Sequence, residues 1–145
     1  MSFDLSIDAI IRGHAAPQIY RLDADLPLAT LAGQIAAAGG ELFELDGELM
    51  SETAGLMAEF ARVLQFPDYF GKNWDALHDC LTDLSWFDDT RSHFVVAIDH
   101  WDYCASPILQ EILQGSVTLW ADSETPLYVL LRSDRRDIGK FLVVG

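Results

Sequence analysis

The sequence predicts an α/β fold built on a small parallel sheet. Three short apolar runs, near 41–46, 94–98 and 127–131, alternate with segments of helical periodicity. The second and third runs, FVVAI and LYVLL, are almost continuously apolar, which is typical of strands that are covered on both faces. Strands that alternate with helices are connected by right-handed crossovers, and such strands run parallel.

The first forty residues predict a helix, a strand and a second helix. Residues 4–12 have weak helical character, and residues 18–22 have the pattern of a short strand. Pro27 lies at the first turn of a helix that ends at Gly39 and Gly40. Because a separate unit of this size would scarcely hold a core, we expect the strand and helix to extend the sheet.

Three more helices are predicted, at about 53–64, 73–84 and 108–121. Ser51 or Thr53 can cap the first of them, and Ser106 followed by Pro107 opens the third. A short last strand is expected at 141–144.

With 145 residues, the chain is long enough for one core and too short for two independent ones. We expect an N-terminal extension at 1–39 that packs on the main domain. The main domain occupies 40–132, and a basic tail or short strand follows at 133–145.

The chain is strongly acidic, with nine Lys and Arg against 23 Asp and Glu and a formal net charge of −14. Nucleic-acid binding needs clustered Lys and Arg, so we expect no direct nucleic-acid partner. Half of the residues are hydrophobic and only 22% are charged, and a folded core is therefore expected. Residues 68–124 hold two basic and eleven acidic residues, a balance of −9, and an acidic functional surface is expected there.

Cysteine usage and the absence of a leader point to a reduced, cytoplasmic protein. Cys80 and Cys104 form no CxxC motif, and one bridge between them is geometrically open. The N-terminus lacks a basic segment followed by an apolar one, and no apolar run approaches the ~20 residues of a membrane helix. We expect no membrane association.

The helix predicted at 73–84 has two different faces. Apolar residues recur at i, i+3, i+4 and i+7 and must face a core, namely Leu77, Cys80, Leu81 and Leu84. Asp75, Asp79 and Asp83 recur at i, i+4 and i+8 on another face, where like charges repel. The helix dipole compensates only Asp75, because its effect fades within one turn. Residues that break a local rule are candidates for function, and three solvated surface aspartates are the alternative.

A short loop with two aromatic residues, Tyr69 and Phe70, precedes this helix. Gly71 follows them and is expected to adopt a positive φ. Aromatic residues beside carboxylates are favoured in protein contacts. Trp74 and His78 lie one helical turn apart, and Trp74 either packs inward or borders an aromatic-rimmed acidic patch.

The string PDYFGKNWDALHDCLT, residues 67–82, resembles the signature of the barstar family of intracellular ribonuclease inhibitors. A strand, a turn and a helix precede the string, and a strand, a helix and a strand follow it, so the resemblance covers about residues 40–132. The resemblance implies a barstar-like fold. It also implies an inhibitor that blocks a ribonuclease active site with a helix and its preceding loop.

The resemblance assigns roles to five residues. Asp79 matches the aspartate that enters the enzyme's phosphate-binding pocket, as a phosphate mimic. Asp75 matches a second interface acid, and Tyr69 matches the loop tyrosine that packs on the enzyme. Asn73 and Gly71 match residues that shape the loop. The chemistry agrees, because carboxylates at phosphate-like positions can satisfy the basic donors of a ribonuclease active site.

The chain departs from the family pattern at four positions of the helix. His78 stands in place of a tryptophan and Trp74 in place of a leucine. Asp83 and Leu84 stand where the best-studied member has glycine and tryptophan. These departures leave the fold and the binding mode in place.

A further interface glutamate of the family, on the last helix, falls near Leu119 and is missing. Asp122 or Glu124 could replace it in part.

Interpretations of the sequence as an enzyme have less support than the interpretation as an inhibitor. Cys80 lies on the apolar stripe and points away from His78, two positions before it on the helix. His100 and Cys104 are one helical turn apart, but no second ligand pair accompanies them. Paired carboxylates could serve a glycosidase, yet no aromatic-rich cleft pattern is present. We predict no catalytic residue, no metal and no cofactor.

The leading hypothesis is a monomeric, cytoplasmic inhibitor or immunity protein that binds a basic ribonuclease or nuclease toxin. The alternatives are a barstar-like interaction module that binds another basic protein without inhibiting a ribonuclease, and a small hydrolase. The predicted partner-binding residues are Tyr69, Phe70, Gly71, Asn73, Trp74, Asp75, His78, Asp79 and Asp83.

Overall fold

The computed structural model describes residues 7–23, 25–87, 90–135 and 138–144, and their five strands form one parallel sheet. The strands are β1 (Ile19–Leu22), β2 (Glu41–Asp46), β3 (Phe94–Asp99), β4 (Leu127–Leu131) and β5 (Leu142–Val144). Their spatial order is β2-β3-β4-β1-β5. The predicted α/β class and the parallel sheet are confirmed.

Five α-helices connect or flank these strands in the described part of the chain. They are α1 (Ile7–Ile11), α2 (Leu28–Ala37), α3 (Thr53–Val63), α4 (Trp74–Leu81) and α5 (Pro107–Ala121). One-turn 3₁₀ segments follow β2 at Gly47–Met50 and β3 at Trp101–Tyr103.

The N-terminal strand and helix extend the sheet, as predicted. β1 lies between β4 and β5 and pairs with both in parallel. The sheet therefore draws strands from all three predicted segments of the chain. The division into an extension, a main domain and a tail stays a prediction.

Two layers of helices cover the sheet, one on each face. Alternate residues of β3 and β4 point to opposite sides, so Val95 and Tyr128 pack in the core under α1 and α2. Val96 and Val129 pack in the larger core under α3, α4 and α5. Burial on both faces explains why these two strands are almost continuously apolar.

The start of α3 differs from the prediction. Neither Ser51 nor Thr53 caps it, because Glu52 is the residue with extended backbone at the boundary (φ −116°, ψ 151°), and its side chain forms no capping hydrogen bond. The predicted cap of α5 is confirmed, since the Ser106 hydroxyl accepts a hydrogen bond from the Leu109 amide at 3.2 Å.

Candidate functional site

Helix α4 presents carboxylates to solvent because its opposite face is packed in the core. Asn73 starts the helix, and its Oδ1 atom accepts a hydrogen bond from the Ala76 amide at 2.8 Å. Leu77 and Cys80 are 0% and 3% exposed, as the predicted apolar stripe requires. The Asp79 side chain is 84% exposed on the other side of the helix, and Asp75 is also exposed.

The prediction that Asp75, Asp79 and Asp83 lie along one face of the helix is wrong for Asp83. Helix α4 ends at Leu81, with Thr82 as its C-cap, so Asp83 lies beyond the helix. The Thr82 hydroxyl donates to the His78 carbonyl at 2.8 Å, and Leu84 then adopts a left-handed backbone (φ 53°). This turn still buries Leu84, which is 2% exposed as the apolar pattern predicted.

The end of α4 is linked to the loop that precedes the helix. The Tyr69 hydroxyl donates to Oδ2 of Asp83 at 3.3 Å, and Tyr69 itself is 69% exposed. Partial desolvation, followed by the charge and the hydrogen bond of Asp83, raises the pKa of the Tyr69 phenol. The tyrosine therefore stays a neutral donor and presents its ring beside the carboxylates.

Two details of the loop correct the sequence prediction. Phe70 is buried, and its ring centroid lies 4.8 Å from that of Phe66. Phe70 therefore packs the loop onto the core and offers little surface to a partner. The residue with positive φ is Lys72 (φ 55°), and Gly71 lies outside that region.

The sequence left open whether Trp74 packs inward or borders the acidic patch, and the structure shows both contacts. Trp74 packs partly against the core, and it also lines a cleft of ≈ 350 Å³ between α4 and α5. His78 lines the same cleft and is 44% exposed. Gly115 of α5 lies beside the imidazole, and a Cβ atom there would be 3.7 Å from its Nε2 atom, an ordinary van der Waals contact.

Glu111 is a residue of this region that the sequence prediction missed. It lines the α4–α5 cleft together with Asp75. The signal was present, because Ser106 and Pro107 set the start of α5 and so place residues 108, 111, 112 and 115 on one face.

The far end of α5 lacks the acid that the resemblance implies. Leu119 is 50% exposed there, and the Trp120 indole donates to the Leu81 carbonyl at 2.8 Å. Asp122 and Glu124 are exposed at the end of the helix and beyond it.

Both cysteines are buried thiols that form no disulfide. Burial, followed by the charges of Asp83 and Asp79, raises the pKa of Cys80. Burial raises the pKa of Cys104 to about 12. Protonated thiols are poor nucleophiles.

His100 lies with carboxylates near the ends of β2 and β3. Its Nδ1 atom is 3.0 Å from Oδ1 of Asp46, and its Nε2 atom is 3.6 Å from a Glu48 oxygen. Among the described residues, no group of three or more His, Cys, Asp and Glu side chains is arranged to hold a metal ion. No helix in the same part of the chain is long and apolar enough to span a membrane.

Fold and site define a small α/β protein that displays the carboxylates of one helix and a neighbouring tyrosine on its surface. The family model for Barstar (barnase inhibitor) matches residues 41–132, which is more than half of the chain, and the protein belongs to this family. No curated protein matches the sequence.

Proposed function

We propose that this protein inhibits a basic ribonuclease by covering its active site with α4 and the preceding loop. The exposed carboxylate of Asp79 carries the proposal. Nδ1 of His78 lies 3.9 Å from its Oδ1 atom, a weak contact, and the Asp79 side chain is 84% exposed. A carboxylate in this position is available to the Arg, Lys or His donors that hold a phosphate in a ribonuclease.

The packing of α4 supports the proposal because it holds in place the helix backbone that carries this carboxylate. Leu77, Cys80 and Leu81 anchor the helix, and Asn73 caps its first turn. A group that is already ordered loses little conformational entropy on binding. Asp79 therefore enters the partner at a lower entropic cost than the same residue on a flexible loop.

Tyr69 and Asp75 widen the proposed contact surface. The Tyr69 ring is 69% exposed, and Asp83 orients its hydroxyl. Tyrosine is enriched among the residues that dominate protein interfaces. Asp75 adds a second carboxylate one turn before Asp79. We take the remaining predicted contacts, Gly71, Asn73, Trp74, His78 and Asp83, as the edge of this surface.

The overall charge favours a basic partner. A formal net charge of −14 produces a negative field that speeds encounter with a cationic surface. Such association slows with added salt, because mobile ions screen the field. We propose that the encounter takes place in the cytoplasm and gives a one-to-one complex.

Capture of partners on the immobilised full-length protein, followed by ribonuclease assays, tests this proposal. We expect a captured basic protein that hydrolyses RNA alone and loses this activity when one equivalent of inhibitor is added. Asp79→Ala should restore the activity. Asp23→Ala is the matched control, because Asp23 is an exposed carboxylate after β1, outside the loop and α4. Partners without ribonuclease activity, or equal inhibition by Asp79→Ala, would contradict the proposal.

A competition experiment tests whether the active site is the part of the enzyme that is covered. A 3′-nucleotide occupies the phosphate-binding site of a ribonuclease, so it should reduce the apparent affinity of the inhibitor in proportion to its own occupancy. Affinity that stays constant at saturating nucleotide would show binding outside the active site.

One observation favours a second function, the binding of another basic protein without inhibition. Leu119 offers an apolar surface where the resemblance places an interface glutamate, so this end of the surface differs in chemistry. Capture of a basic protein that lacks nuclease activity, lost with Asp79→Ala and retained with Asp23→Ala, would identify this second function.

A further inference from the structure

His93 is a fully buried histidine at the point where helix α1 meets the sheet. It is 0% exposed and precedes β3 directly. Its Nδ1 atom lies 2.7 Å from the Ser92 hydroxyl, and its Nε2 atom has no hydrogen-bond partner among the described residues. A buried polar atom without a partner is rare in native structures and calls for an explanation.

Two glycines enclose the ring. A Cβ atom at Gly13, just after α1, would lie 2.6 Å from Nδ1 of His93, and one at Gly40 would lie 2.5 Å from its Cε1 atom. The imidazole is therefore held between the chain that leaves α1 and the chain that enters β2. No space remains for water beside the ring on these two sides.

The contacts that hold α1 on the sheet surround the same ring. Ile10 is 0% exposed, and the Tyr128 hydroxyl donates to the Ala15 carbonyl at 2.7 Å. The Tyr128 ring packs edge-on against His93, with centroids 6.0 Å apart. The Tyr20 hydroxyl donates to the Ala16 carbonyl at 2.5 Å. Movement of the ring would disturb the packing of Tyr128, whose hydroxyl binds the segment after α1.

The surroundings favour the neutral form of the ring. Burial lowers the pKa of His93, and the neighbouring His14 lowers it further, although the carbonyls of Ile10 and Ile11 oppose the shift in part. The other titratable group packed on the ring, Tyr128, has a pKa raised by burial to about 12 and stays uncharged.

Four charged residues on neighbouring segments form two ion pairs. Arg12 pairs with Asp8 at 3.0 Å, and Arg91 pairs with Glu41 at 2.9 Å. No carboxylate of the described residues lies within ion-pair distance of the His93 ring.

We propose that His93 is an acid-sensitive latch for helix α1. At neutral pH the uncharged ring completes the packing between Gly13, Gly40 and Tyr128. When the ring takes up a proton, the carbonyls of Ile10 and Ile11 compensate the buried charge only in part, so α1 leaves the sheet and the ring reaches water. The rest of the sheet and the acidic helix α4 keep their structure during this opening.

Hydrogen exchange across a pH series tests the latch in the full-length protein. The amides of Arg12, Gly13 and His14 donate to carbonyls of α1 and report its opening. Below pH 6.5, the ordinary pKa of histidine, their protection factors should fall about tenfold per pH unit as long as the folded state keeps the ring neutral. The protection factors of Leu81 in α4 and Val129 in β4 should stay constant over the same range.

Two variants separate the latch from general acid sensitivity. His93→Gln removes the titrating group and should abolish the pH dependence at residues 12–14. His14→Gln is the matched control and should retain it. A pH dependence that survives in His93→Gln would overturn the proposal. So would an equal fall at Leu81 in the unmodified protein, a comparison that does not require any variant to fold.

Discussion

At the scale of single residues, the structure links the contact loop to the end of the acidic helix through Tyr69 and Asp83. The sequence could predict that both residues are exposed and polar, but it could not predict their hydrogen bond. The apolar pattern predicts that Asp83 lies in the helix, whereas the helix ends two residues earlier and Asp83 is bonded to Tyr69. A helix end is set by local backbone geometry, and sequence patterns define such ends poorly.

Replacement of Asp83 should change the ionisation of Tyr69. The charge and the hydrogen bond of Asp83 both raise the pKa of the tyrosine, so Asp83→Asn should lower that pKa toward its ordinary value of 10.0. Titration of the Tyr69 ring carbons by NMR measures the effect. Asp79→Asn is the control and should leave this pKa almost unchanged, because Asp79 is absent from the causes of the shift. An unchanged pKa in Asp83→Asn would show that the hydrogen bond does not form in solution.

At the scale of elements, helix α4 shows which features a sequence can define. The apolar stripe predicted the buried face correctly, because burial follows the helical period. The apolar pattern predicts a C-terminus that is too late, because no glycine marks the end of the helix at Leu81. Leu84 takes the left-handed position that glycine usually occupies, and its burial in the core offsets the cost. In the same way, the positive φ that is expected at Gly71 is found at Lys72.

Loss of the Asn73 cap should weaken α4. The side chain satisfies the Ala76 amide at 2.8 Å, and Asn73→Ala should lower the free energy of unfolding by about 1 kcal/mol. Urea denaturation followed by circular dichroism measures this change. Asn73→Asp keeps a capping oxygen and should remain within a few tenths of a kcal/mol of the parent. Equal losses in both variants would show that the cap is not the cause.

At the scale of the whole molecule, one ion pair joins the carboxyl ends of β3 and β4. Arg132 binds both carboxylate oxygens of Asp99, at 3.2 and 2.8 Å, and donates to the Leu26 carbonyl at 2.7 Å. The positive charge of Arg132 is therefore paired with the negative charge of Asp99 at the end of β3. The sequence does not predict the partner of Arg132, because the pairing depends on the topology of the sheet, which places β3 beside β4.

The Arg132–Asp99 pair predicts how stability changes in acid. The hydrogen bond from Arg132 is the main cause that lowers the pKa of Asp99 below 3.8. The stabilisation is therefore present above pH 3.8 and is lost as the pH falls through the lower folded-state value. Asp99→Asn should be less stable than the parent at pH 6, and the difference should shrink below pH 3.8. Urea unfolding at a series of pH values measures it, and a difference that stays constant down to pH 2 would contradict this account.

The central claim is that one carboxylate on α4 dominates binding to a ribonuclease, and the inhibition constant of Asp79→Asn tests it most directly. The substitution keeps the shape of the side chain and removes its charge. Loss of one member of a buried charge pair costs about 2–5 kcal/mol, so the inhibition constant should rise roughly 30- to 5,000-fold. Asp23→Asn, with the same change of net charge elsewhere, should raise it by no more than about threefold. Equal inhibition constants for the two variants would contradict the claim, because they would reduce the role of Asp79 to its share of the overall charge.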